Sequence, residues 1–429
     1  MDPLVAALVL ILLALVGARV SFSTERVPVG PRLLFRTGTH FLFIGFVLGP
    51  PVLALVSRDA LSQLFPLIGL GLGWVGMLFG LQMDRSSLMQ FPRRFPIVAT
   101  GQALLTFLLV FATGTAVAGA FDALDRPLLM GIAVAAAIAS VSTPAGIAIV
   151  AQAFPRQRPI VQLLLFIAAV DGIIGIVALD ITYAVFHDVT RSSGGEATPW
   201  WFWAMVSVGL GIVCAVVFLW LARLRPTREE LVLYLLGISA LSAGAALQLQ
   251  LSPLFVGMVL GAIVVNLSPD GDRIFAVMER WEKPIYVVLL LLAGALLRFP
   301  TWWIIPVAIA FAAVRATAKV VAGAVMVRAA KLPRDTPRLL GMGLMSQGGI
   351  SLAMVLSAVL TLAPRGLEIA GYPAVDLLFS TVVLSVVLSE LAGPLLVATL
   401  LGRAEEGGSP PAPPPRTGAP TQGARRESP

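Results

Sequence analysis

Five charged side chains lie deep within stretches otherwise apolar enough to cross a bilayer: Asp171, Asp180, Arg315, Lys319 and Glu390. An aspartate at the bilayer centre costs roughly 2.5–3.5 kcal/mol on insertion scales, so a chain keeps one where something in the membrane compensates it or uses it. A desolvated carboxylate has two chemistries open to it. Its oxygens hold a hard cation, or they hold a proton, because leaving water disfavours the charged form. Asp171 is near the middle of residues 162–186, QLLLFIAAVDGIIGIVALDITYAVF. Asp180 follows nine residues later, half a turn out of phase at ~100° per residue, and is expected to face away from Asp171. It either lines an external funnel or, on the simpler reading, sits at the membrane interface.

Two sites with freed backbone oxygens accompany these charges. Pro144 removes a backbone donor in the middle of residues 128–151 and biases Thr143 away from helical angles. The carbonyls released there, with the hydroxyls of Ser142 and Thr143, suit a small hard cation. A second weak point falls at Gln347, Gly348 and Gly349, preceded by Gly341, Gly343 and Ser346. Non-helical backbone at this depth survives where it is buried in protein or lines a wet cavity. The plainer alternative is a proline kink with glycine packing faces. Arg315 and Lys319 are four residues apart and share one helix face. Their repulsion calls for anions or carbonyls, which helix C-termini at the breaks can supply. Either a structural or a transport role fits them. Lys319, nearer a membrane edge, is able to snorkel, and Glu390 is expected to form an ion pair with one of the two. His40 and His187 read as interfacial residues, Gln102 and Gln162 as polar contacts within a bundle, and the glycines of residues 69–80 as a helix association face. No metal-ligand cluster, nucleophile triad or nucleotide-binding loop is visible, so neither an enzyme nor a cofactor is expected.

These groups must be positioned by membrane helices. The 429 residues are 58% hydrophobic and 12% charged, with mean hydropathy +0.92, whereas a soluble domain is about a quarter charged. Thirteen apolar spans can be drawn, at residues 3–19, 37–56, 64–81, 95–118, 128–151, 161–186, 200–221, 231–249, 252–267, 285–297, 302–327, 338–360 and 375–400. Alternate connections carry 18 basic residues against 5, which predicts the N-terminus outside and the C-terminus in the cytoplasm. The net charge of +7 is too thinly spread for nucleic-acid binding, and the single cysteine, Cys214, rules out a disulfide within the chain. The first span lacks the basic start and cleavage site of a signal peptide and is expected to be retained. From Arg403 onward the Pro-, Gly- and Ser-rich segment reads as a disordered tail. There is also a repeat. FIGFVLGP at residues 43–50 and FVGMVLGA at 255–262 share five of eight positions, and STPAGIA at 142–148 has a counterpart in SQGGISL at 346–352. Each pair is seven spans apart, which predicts an inverted repeat of spans one to six and eight to thirteen around a linker span. Such repeats place substrate sites at the midplane, on interrupted helices.

The chain resembles the monovalent cation:proton antiporter superfamily, in particular its bacterial second branch, over nearly all of residues 3–400. The resemblance rests on FVLGP at 46–50, GMLFGLQMD at 76–84, the Ser142–Thr143–Pro144 break, the mid-span Asp171, VRATAK at 314–319 and MSQGGISLA at 345–353. It implies an all-α antiporter fold with two discontinuous helices crossing in the core. Core helices would fall at about 95–186 and 302–400, dimerisation helices at about 3–81 and 231–297, and a linker helix at about 200–221. It implies a homodimer in the cell membrane that exchanges Na⁺, Li⁺ or K⁺ for H⁺. Asp171 then matches the ion-binding aspartate, Ser142 and Thr143 the ligands of the unwound segment, and Lys319 or Arg315 the basic residue of the core. Three positions depart from the pattern: Val170 where electrogenic members carry a second acid, Thr143 before the proline, and Ile350 after the span-twelve glycines. Ile167, one turn before Asp171, also offers no oxygen. With one titrating carboxylate the expected exchange is electroneutral. The rival readings are a non-transporting scaffold of the same fold and a K⁺ efflux system gated by a separate subunit.

Overall fold

The computed structural model describes residues 38–121, 125–187, 198–333, 336–369 and 371–407, with six helical positions between Val5 and Val16. Apart from those six, the first predicted span lies outside the described residues, as does the tail beyond Gly407. The helices that matter are α1 (Thr39–Leu48), α2 (Phe65–Leu81), α3 (Arg94–Ala120), α4 (Arg126–Ser140), α5 (Pro144–Ala151), α6 (Arg158–Val185) and α7 (Trp200–Ala222). They continue with α8 (Arg228–Gln248), α9 (Pro253–Leu267), α10 (Gly271–Leu296), α11 (Ile304–Ala329), α12 (Gly349–Leu362) and α13 (Ala374–Gly407). Among the described residues, seven helical stretches are long and apolar enough to cross a bilayer, α4 and α5 together forming one of them. Local signals set several starts. Asp125 accepts from Leu128 N at 2.8 Å, Ser252 from Phe255 N at 3.3 Å, and Thr227 with Glu230 forms a reciprocal capping box.

Three predicted boundaries shift for physical reasons. The span drawn at 37–56 stays helical only to Leu48, because Gly49 turns extended ahead of Pro50 and Pro51. The short span at 285–297 is the apolar end of α10, whose charged first half hid its length from hydropathy. The last helix continues through Gly407, into the segment expected to be disordered from Arg403.

The inverted repeat is visible in matched backbone contacts. Gly45 of α1 and Gly49 just past its end lie on the backbone of Leu291 and Ala295 in α10. Their counterparts in the repeat, Gly257 and Gly261 of α9, lie on Gly73 and Met77 of α2. The reciprocal glycines correspond as well: Gly294 meets the Leu42 carbonyl, and Gly76 meets that of Leu254. A Cβ at any of these positions would collide with main chain, so small residues let the α1–α10 and α2–α9 pairs approach backbone to backbone. The glycines of residues 69–80 are therefore the association face expected of them.

Contacts gather the helices into two groups. In one, α2 packs on α8, α9 and α10, α10 packs on α1, and α7 packs on α8 and α9. In the other, α3, α6, α11 and α13 surround the interrupted pair formed by α4–α5 and by the segment leading into α12. The main seams between the groups are α6 against α7 and α12 against α2 and α10.

Candidate ion-binding site

Both expected interruptions are present, and they touch. α4 ends at Ser140, residues 141–143 are extended, and α5 restarts at Pro144, where a missing N–H costs a helix nothing. The second interruption runs from the 3₁₀ turn Leu340–Leu344 through residues 345–348 to the start of α12 at Gly349. Thr143 N donates to the Ser346 carbonyl at 3.0 Å, so the two interruptions meet each other.

Ending a helix inside a membrane strands its last carbonyls. Here each has a donor. Ser140 Oγ donates to the Ala137 carbonyl, Gln347 Nε2 to Ile138 at 3.1 Å, and Arg315 Nε to Ala139 at 3.2 Å. Lys319 Nζ donates to the Ser140 carbonyl at 2.5 Å and Arg315 Nη2 to that of Val141 at 2.8 Å. Arg315 Nη1 also reaches the Met345 carbonyl at 2.8 Å, so one guanidinium ties both interruptions together. The positive charges of α11 therefore face the negative ends of broken helices, the favourable sense of the helix dipole. Gln102 of α3 donates to the Lys319 carbonyl at 3.2 Å, which makes it the polar bundle contact expected.

Arg315→Ala is expected to lower the thermal unfolding temperature of the detergent-solubilised protein, since each lost hydrogen bond to a charged donor is worth about 1.5–3 kcal/mol. Arg315→Lys should recover only part of the loss, because an ammonium cannot reproduce the planar fork. An unchanged unfolding temperature for Arg315→Ala would remove this bracing role.

Asp171 and Lys319 are both fully buried. Lys319 Nζ donates to Asp171 Oδ2 at 2.6 Å and to Ser142 Oγ at 2.8 Å. Ser142 Oγ lies 2.9 Å from Asp171 Oδ2 and 3.0 Å from the Leu344 carbonyl, and its single proton serves one of them at a time. The other carboxylate oxygen, Asp171 Oδ1, is buried and accepts no hydrogen bond from the described residues.

A cavity of about 440 Å³ reaches this region from the end of the molecule that carries Lys283. Gln82 and Glu282 line it on the side of α2 and α10, and Thr143, Pro144 and Gly348 line it at the interruptions.

Other expectations change. Lys319 does not snorkel; its ammonium is consumed at the site. The donors of Arg315 and Lys319 go to carbonyls, Ser142 and Asp171 rather than to Glu390, which instead lines the cavity. Asp180 does face away from Asp171, and it is 3% exposed and accepts from Ser207 Oγ of α7 at 3.1 Å, so a helix neighbour, not solvent, satisfies it. His187 is likewise buried, its ring stacked on Trp203 at 3.5 Å. Sequence reasoning missed Ser140 as a carbonyl ligand of Lys319 and the cavity residues Phe79 and Glu282. Ser140 lies three residues before Thr143, at the last position a helix broken there would strand, which is the signal that was available for it.

The chain matches the model of the sodium/hydrogen exchanger transmembrane family over residues 8–402. Its fold is similar to that of the sodium proton antiporter MjNhaP1 from Methanocaldococcus jannaschii, solved at pH 8, with a TM-score of 0.67 at 15% identity. The likeness covers 94% of this chain and 99% of that one. No curated protein sequence matches the chain.

Proposed function

The chain belongs to the sodium/hydrogen exchanger family, and we propose that it exchanges Na⁺ or K⁺ for H⁺ by alternating access, with Asp171 as the shared cation and proton site. The observation that carries this reading is the buried pair: Asp171 holds Lys319 at 2.6 Å while its second oxygen accepts no hydrogen bond from the described residues. A cation that binds Asp171 with Ser142 and Thr143 takes the place of the Lys319 ammonium. Two uncompensated positive charges at one buried carboxylate are costly, so the Asp171–Lys319 pair gives up one proton as the cation arrives. When the cation leaves, a proton returns and the ion pair closes again. Either way the site carries the same charge.

The exchange is therefore one for one and electroneutral. In proteoliposomes, an imposed membrane potential is expected to leave the exchange rate unchanged. Voltage-driven currents under symmetric ion gradients would contradict this stoichiometry, and a folded protein with no exchange at all is the result expected of a non-transporting scaffold.

The basic loops support an orientation with the end carrying Lys283, and with it the cavity, in the cytoplasm of a cell-membrane protein whose N-terminus is outside. The group built on α1, α2 and α8–α10 is the frame, with the homodimer contact on it. The group around the interruptions is the part that moves, with α7 as linker. Backbone-to-backbone contact at Gly45, Gly76, Gly257 and Gly294 supports a rigid frame.

A further inference from the structure

An exchanger must keep its site from opening to both sides of the membrane at once, and the cavity at the Lys283 end stops short of Asp171. Asp171 is fully buried and does not line that cavity, whereas Ala169 of the same helix does. The next residue, Gly172, has no side chain, so nothing of α6 fills the space beside it. Two apolar groups from other helices do. A Cβ at Gly172 would meet Ile350 Cδ1 at 3.0 Å and Phe79 Cε1 at 3.3 Å. Both residues also line the cavity. Thr143, also on the cavity wall, lies flush on Gly348, its Oγ1 2.8 Å from the place a Cβ would take.

We propose that Phe79 and Ile350 form the gate between the cavity and the Asp171 site. The two belong to opposite groups of helices, Phe79 to α2 and Ile350 to α12, and meet across the seam that must part if one group moves against the other. Closed, they interpose an apolar layer that a bare cation cannot enter without losing its hydration. Open, they admit it within one residue of the carboxylate while the bonds of Arg315 and Lys319 to the interruptions stay in place. At Ile350 a carboxylate would draw cations to the gate, whereas the isoleucine only seals. The inference rests on Asp171 being the ion site.

The test uses accessibility rather than transport, so it reads the gate even if Asp171 is not what carries the ion. Ser142→Cys, placed in the full chain with Cys214→Ser, puts a near-isosteric thiol beside Asp171. Its rate of modification by aminoethyl methanethiosulfonate, a small cation, is measured in vesicles with the Lys283 end exposed. An open state is ordinarily a minor one, 0.1–10% populated, so Ile350→Ala and Phe79→Ala are expected to raise that rate about tenfold or more. Ile350→Val, which keeps the packing nearly intact, should give an intermediate rate. Gln82→Ala, on the cavity wall but not among the contacts of Gly172, should leave it unchanged. Unchanged rates in the Ile350 and Phe79 variants, or an equal rise in Gln82→Ala, would overturn the proposal.

Discussion

Asp171→Asn is expected to abolish cation–proton exchange in vesicles and to leave the protein folded, though less stable. The amide keeps the shape of the carboxylate and still accepts from Ser142 and Lys319, so the crossing of the two interruptions survives. What it loses is the charge. An amide oxygen and the Ser142 and Thr143 hydroxyls cannot repay the dehydration of a monovalent cation in a buried site, and without the carboxylate's charge the buried Lys319 loses the counter-ion that holds the exchanged proton. Both halves of the exchange fail together. Dissipation of an imposed pH gradient on addition of Na⁺, Li⁺ or K⁺ reads this out, and equal rates in wild type and variant would remove Asp171 from the mechanism.

Lys319→Met is expected to cost about 3–5 kcal/mol of stability, the usual penalty for breaking a buried ion pair from one side. Methionine fills much of the volume but leaves Asp171 and the Ser140 carbonyl without their shared donor. The double variant Asp171→Asn with Lys319→Met should regain most of that loss while remaining inactive, since replacing both members of a buried pair is often neutral or stabilising. Thermal unfolding of the four proteins completes the cycle. Additive losses in the double variant would mean that Lys319 is held by the helix end and owes nothing to Asp171.

Much of this site is legible in the sequence because membrane helices advertise their exceptions. A proline after Ser142 and Thr143, four glycines around Gln347 and an aspartate in the middle of an apolar span each break a strong pattern, and the repeat ties the two breaks together. The glycine pairs are legible for the same reason. What the sequence withholds is the partner across space. Helical periodicity places Arg315 and Lys319 on one face but does not say that this face covers the broken end of α4, some 175 residues earlier in the chain. The same limit applies to Asp180: its direction on α6 follows from phase, whereas its burial depends on Ser207 of α7 packing over it. Hydropathy fails where polarity and membrane depth part company, as in the charged first half of α10. The pairing of the gate residues carries no signal: Ile350 stands out only as a departure from the family pattern and Phe79 only as part of a motif, and nothing joins them until Gly172 is seen beside both.

Proton release on cation binding tests whether one site serves both ions. Purified wild-type protein in weakly buffered detergent solution is titrated with Na⁺, and separately with K⁺, while the pH of the medium is followed. Exchange at the Asp171–Lys319 pair predicts one proton released per cation bound, at saturating concentrations of whichever ion is the substrate, and none from Asp171→Asn. Cation binding without proton release, or release that persists undiminished in Asp171→Asn, would contradict it.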